Sequence, residues 1–133
     1  MQRLPVLLLI ATLGCASCAS SSSADNASAP AKLAGSCSNA SGGFCNEFTG
    51  SSYTPAKVES DCKALGMGIV FLPGACATDS RVGTCLVRKA TSTESYYRYY
   101  ANFPGVGMTT PASAAVGGEK QCTGTLKGEW SPN

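Results

Sequence analysis

The 133-residue chain contains no histidine, and this absence excludes more chemistry than any residue present suggests. Histidine is the commonest metal ligand and the side chain that ordinarily titrates near neutral pH. Without it there can be no His-based triad, no Cys–His nucleophile and no mixed Cys/His zinc site. Charge is scarce as well: 14% of residues are charged, and ten Lys and Arg against eight Asp and Glu leave a formal net charge of +2. That near-balance offers nucleic acid no electrostatic attraction, and no nucleic-acid partner is expected. Long apolar runs are also missing. The one substantial run, Leu4 to Leu13, falls well short of the roughly 20 apolar residues that a bilayer-spanning helix needs.

Cysteine, by contrast, is plentiful: eight residues, about 6% of the chain, well above ordinary usage and just under a composition that would by itself declare a disulfide scaffold. Most of them lie far apart. From Cys37 onward the intervals hold 7, 16, 13, 8 and 36 residues, whereas thiolates that bind zinc come as pairs with two to four residues between them. The one Cys-x-x-Cys pair, Cys15 and Cys18, lies beside the apolar run near the N-terminus. No metal and no cofactor are expected.

Met1-Gln2-Arg3, the apolar run and then Gly14-Cys15 have the layout of an export signal: a short positive region, an apolar core and a small residue before the cut. Thr12-Leu13-Gly14-Cys15 resembles the lipobox of bacterial lipoprotein precursors, in which cleavage precedes a cysteine whose sulfur carries a diacylglyceryl group. The resemblance covers about the first 15 residues. It implies a signal peptide over residues 1–14, Cys15 as the lipid attachment site, and a membrane partner reached through that lipid. Ala16 stands where an Asp would signal inner-membrane retention in that family, which implies the outer membrane or cell surface in a Gram-negative cell. Two alternatives stay open: a lipobox centred on Cys18, or an ordinary secretory cut near Ser17-Cys18-Ala19 that would yield a periplasmic or secreted soluble protein. Residues 15–35 are dominated by Ser, Ala and other small residues with no apolar period, and read as anchor plus flexible tether. A tether of about 18 residues would hold its ends on the order of 25 Å apart.

The domain is expected over residues 36–133. Its clearest element is a helix from Pro55 to Leu65: Thr54 caps it, Pro55 suits the first position, Val58, Cys62 and Leu65 form one stripe, and Gly66 ends it. Ile69 to Leu72 reads as a strand buried on both faces, Val82–Lys89 and Ser95–Ala101 as a hairpin, Gly43–Thr49 as a weaker strand and Lys127–Trp130 as a final one. A second helix is expected from Thr110-Pro111 toward Cys122, although Gly117-Gly118 weakens it by roughly 1 kcal/mol per glycine relative to alanine. There is also an internal echo. Cys62 and Cys122 each follow a Thr-Pro helix start and each precede a glycine by six residues. Two strand–helix–strand halves would produce this pattern, and so would chance in a glycine-rich chain.

These elements make an α+β fold: a small disulfide-rich single domain with a short antiparallel sheet and one or two helices. Cys37, Cys45, Cys62, Cys76, Cys85 and Cys122 are an even set in an exported domain, and three bridges are expected. Their connectivity is open, because six cysteines allow 15 pairings.

No catalytic residues stand out, and the protein is expected not to be an enzyme. Ser60-Asp61-Cys62-Lys63 matches the S-x-x-K pattern of serine β-lactamases, but the companion S-D-N and K-T-G elements are missing, so coincidence is the better account. The stretch most suggestive of binding is Tyr96-Tyr97-Arg98-Tyr99-Tyr100. On a strand, Tyr96, Arg98 and Tyr100 share one face and Tyr97 and Tyr99 the other, and a core this small cannot cover both. Tyr96, Arg98 and Tyr100 are therefore the candidate ligand-binding residues, for a protein or glycan partner. The plainer account, that tyrosine simply favours strands, is preferred. The leading expectation is an envelope lipoprotein domain with a structural or interaction-bearing role.

Overall fold

A computed structural model of the protein describes residues 32–105 and 107–133. Six strands and two helices follow in the order β1 (Gly35–Asn39), β2 (Phe44–Phe48), α1 (Pro55–Ala64), β3 (Val70–Leu72), β4 (Arg81–Val87), β5 (Ser95–Tyr100), α2 (Pro111–Lys120) and β6 (Glu129–Pro132), and a π-helical turn over Gln121–Leu126 continues α2. All strand pairs are antiparallel, and the sheet runs β3–β1–β2–β5–β4–β6. The fold is thus the expected small disulfide-rich α+β domain.

The strand order splits into two copies of one unit. In the first, the hairpin β1–β2 is followed by α1 and then by β3, which returns to pair with β1. In the second, the hairpin β4–β5 is followed by α2 and then by β6, which returns to pair with β4. The registers agree residue by residue. Cys37 stands between Asn46 and Phe71, and Cys85 between Tyr97 and Trp130. Where β2 meets β5, Asn46 pairs with its own equivalent, Tyr97, so a pseudo-two-fold axis passes through that pair. The echo between Cys62 and Cys122 therefore belongs to a duplicated frame. Its unit is strand–strand–helix–strand, one strand longer than the unit expected.

Cross-strand neighbours share a face, so Phe71, Cys37, Asn46, Tyr97, Cys85 and Trp130 form one row across all six strands. The helices cover this inner face, α1 over β1 and β3 and α2 over β4 and β5. Each half has its own small core. One contains Phe48, Val58, Cys37 and Cys62, and the other Tyr99, Val87, Cys85 and Cys122. An equivalent bridge ties strand to helix in each: Cys37–Cys62 and Cys85–Cys122, with Cα atoms 5.4 and 5.5 Å apart. Equivalent glycines sit beneath equivalent aromatic rings. A Cβ on Gly35 would strike Phe71, and one on Gly83 would strike Trp130.

Local chemistry accounts for the helices. Thr54 accepts from the Lys57 N–H at 3.3 Å, Pro55 opens α1, and Gly66 takes φ +104° beyond its end. Thr110 and Ser113 form a reciprocal cap on α2. The glycine pair that weakens α2 in isolation lets it lie close to the sheet, since a Cβ on Gly118 would come within 2.9 Å of Tyr99 Cγ and Trp130 Cη2.

Several expectations change. Residues 35–39, read as the end of the tether and an unassigned start of the domain, form strand β1, and the adjoining Ala34 is buried with its N–H on the Phe48 carbonyl at 2.8 Å. Ile69 to Leu72 is not buried on both faces. Strand β3 lies at the sheet edge, and Val70 is 58% exposed. The last strand begins at Glu129, because Lys127 is left-handed (φ 55°) and ends the π-helical turn.

Gly118→Ala sets two effects against each other. Helix propensity would favour alanine by about 1 kcal/mol, while the added methyl must push into two packed rings, a strain of about 1–3 kcal/mol. The variant is expected to be destabilised, read as a lower urea midpoint at unchanged slope, despite the better helix former.

Candidate functional site

The outer face of the sheet carries Tyr96, Arg98 and Tyr100, while Tyr97 and Tyr99 point into the helix-covered layer; β5 separates the five side chains as alternation predicts. All three outer residues are half-buried, and each has its polar end engaged. The Arg98 guanidinium donates through Nε to Glu47 Oε2 at 2.9 Å and through Nη1 to Thr84 Oγ1 at 3.0 Å, and a second nitrogen, Nη2, also reaches Glu47. The Tyr96 ring lies 4.8 Å from the guanidinium carbon, in cation–π range. Tyr100 donates to the Ala77 carbonyl at 2.9 Å.

Glu47 is the residue that the sequence did not single out. It is buried in β2, and its other oxygen accepts the Cys76 N–H at 2.9 Å. Ser36, beside it, donates to the Gly74 carbonyl at 2.8 Å. Through these contacts and the Cys45–Cys76 bridge, residues 73–80 cross the outer face as a strap from the end of β3 to the start of β4. The pairing of the six domain cysteines is thus 37 with 62, 45 with 76 and 85 with 122. Gly35-Ser36-Cys37 and Gly83-Thr84-Cys85 repeat one another in the sequence, a Gly-x-Cys signal that could have located β1 and the frame.

A separate concavity lies elsewhere. A groove of about 750 Å³ opens where the β4–β5 turn meets the start of α1, walled by Thr49, Ser51, Tyr53, Thr54, Ser92 and Glu94. Its lining mixes these hydroxyls with Leu33, Ala34, Pro55 and Ala90, and none of the tyrosine-strand residues reaches it. Ser60 is exposed on α1, and Lys63 is engaged by Glu59 at 2.7 Å. Among the described residues, no three Cys, Asp, Glu or His side chains come together in a way that would hold a metal ion. No helix there is long and apolar enough to cross a membrane. Cys15, the expected lipid site, and the tether up to residue 31 lie outside the described residues.

Burial pushes the Tyr99 phenol far above its ordinary value, and its hydroxyl donates to Gln121 Oε1 at 2.9 Å. Burial also raises Tyr97, Tyr96 and Tyr100, with the Glu94 carboxylate adding to the effect at Tyr96. These phenols ionise less readily folded than unfolded. The stability they contribute is therefore complete below the unfolded value of about 10 and is lost as pH rises above it toward the folded values. Urea unfolding followed from about pH 9 to about pH 12 is expected to show falling stability, and Tyr99→Phe a shallower fall. The ion pair makes a separate prediction. Arg98→Ala leaves the buried Glu47 charge without its cation and is expected to cost about 3 kcal/mol, whereas Glu47→Gln with Arg98→Met costs less than the two single changes added together, as a double-mutant cycle would show.

No known protein family matches the chain, no curated protein is similar to it in sequence, and no solved structure matches its fold, so its role has to be read from its own chemistry.

Proposed function

We propose that the protein is an exported, lipid-anchored domain of the bacterial cell envelope that serves as a rigid interaction or structural module and not as a catalyst. The observation that carries this reading is the complete pairing of six domain cysteines across a duplicated frame, behind an N-terminal segment that resembles a lipoprotein signal. A bridged domain of this size is at home outside the reducing cytoplasm. The signal-like segment supplies the route, and a lipid on Cys15 would hold the domain at a membrane surface. In a Gram-negative cell, Ala16 after that cysteine, where the resembled family places an Asp for inner-membrane retention, supports an outer-membrane or surface location.

A second reading has its own support. Tyr96, Arg98 and Tyr100 share the outer face, where aromatic rings beside a guanidinium suit a glycan or a protein loop. Because Arg98 is tied into the sheet by Glu47, the residues to substitute are the two tyrosines. Loss of binding to envelope glycans in Tyr96→Ser or Tyr100→Ser at unchanged stability would support this second reading.

The anchor is tested in the native host or in a Gram-negative surrogate. Growth with an alkyne-bearing palmitate followed by intact-mass analysis is expected to give a mature chain that begins at Cys15 and carries lipid. Cys15→Ser should abolish the label and release the domain from the membrane fraction. An unlabelled mature chain that begins near Ala19 would establish the secreted, soluble alternative instead.

A further inference from the structure

The three bridges are not alike. Cys37–Cys62 and Cys85–Cys122 are equivalents under the pseudo-two-fold axis, and each lies between strand and helix with both sulfurs buried in a core cluster. Cys45–Cys76 has no counterpart, because the position equivalent to Cys45 is Tyr96. It lies on the opposite face and fastens the strap. Every strap residue from 73 to 80 is exposed except Cys76, which is 4% exposed. Besides the bridge, the strap is held by hydrogen bonds from Ser36 Oγ to Gly74 O, from Cys76 N–H to Glu47, from Tyr100 and Arg81 to Ala77 O, and, at its end beside β4, from the Ala101 N–H to Ser80 O at 2.9 Å. Only the last, which prolongs the β4–β5 pairing by one residue, is of the ladder kind, and it lies four residues beyond Cys76.

We infer that Cys45–Cys76 is a thiol-releasable clasp that controls access to the outer face, while its two companions are permanent braces. Thiol–disulfide exchange requires a thiolate to reach a sulfur. Reaching Cys45–Cys76 takes only local lifting of the strap, an opening of the low-energy kind. Reaching either companion requires detaching a helix that carries part of a core cluster. The reductant is a dithiol. One of its thiolates attacks a sulfur of the bridge to form a mixed disulfide, and its second thiolate then displaces the remaining cysteine. The bridge gains two electrons and two protons to become Cys45 and Cys76 thiols, and the dithiol leaves as a disulfide. The freed strap uncovers Glu47, Arg98 and Tyr100, while both helix braces persist. The clasp does not depend on whether that face binds a glycan.

The test uses the full chain, titrated with dithiothreitol, trapped with N-ethylmaleimide and mapped by peptide mass spectrometry. The expected first product carries label on Cys45 and Cys76 and keeps the other two bridges. In that product, amide exchange at Cys76, whose N–H Glu47 accepts, rises at least roughly tenfold while β1, β4 and both helices stay protected. Simultaneous opening of all three bridges, or prior opening of either companion, overturns the assignment. So does an opened clasp with unchanged exchange at Cys76. Should the partly reduced form be too short-lived to trap, Cys45→Ser with Cys76→Ser replaces it. That variant is expected to unfold cooperatively with both remaining bridges formed and with faster acetylation of Tyr100 by N-acetylimidazole. Failure to fold, or Tyr100 acetylated no faster, rejects the clasp.

Discussion

A helix of ten residues cannot hold itself against a sheet with the few apolar side chains available here, and everything else depends on how that shortfall is met. Each half commits one helix, α1 or α2, and each core cluster includes a single bridge from strand to helix. Cross-linking loops of this size removes on the order of 3 kcal/mol of freedom from the unfolded chain per bridge. Set against a net stability of about 5–15 kcal/mol for an ordinary domain, two such contributions decide whether the helices stay docked. The sulfur atoms also act as core. They fill the space beneath the helices where a larger protein would use leucine or phenylalanine.

Close approach completes the arrangement. Gly35 and Gly83 admit Phe71 and Trp130 onto the strand backbone, Gly118 admits the Tyr99 ring beneath α2, and Gly128 stands so near the Cys85 sulfur that a Cβ would lie 2.5 Å from it. A small domain thereby packs aromatic rings against backbone and has little need of aliphatic filler. The aromatic pairs repeat as well: Phe48 meets Tyr53 edge-on in one half and Tyr99 meets Phe103 edge-on in the other, both at 4.8 Å.

What the sequence made legible was local. Helix α1 could be read because its cap, its opening proline and its closing glycine lie within a dozen residues. The two sides of β5 could be read because alternation is a property of the strand itself. Strand β1 could not, since Gly-Ser-Cys-Ser-Asn has little intrinsic strand preference and is extended because it is paired on both sides. The apolar run at residues 69–72 misled for the converse reason: periodicity cannot tell a central strand from an edge strand. Glu47 escaped notice because its partner lies 51 residues away, and nothing local marks a carboxylate that will be buried.

That carboxylate also bears on why the two units share one chain. A single unit of this kind would present β2 as an unpaired edge, and two identical copies could close it by pairing edge to edge about an axis. In such a homodimer the residue at position 47 would face its own copy diagonally across the axis, glutamate against glutamate, with no room for an arginine. In the present chain Glu47 and Arg98 occupy those equivalent positions and neutralise each other. Within one polypeptide the seam need not be self-complementary. For the same reason the two halves can differ at matching places, Cys45 fastening the strap in one and Tyr96 standing there in the other.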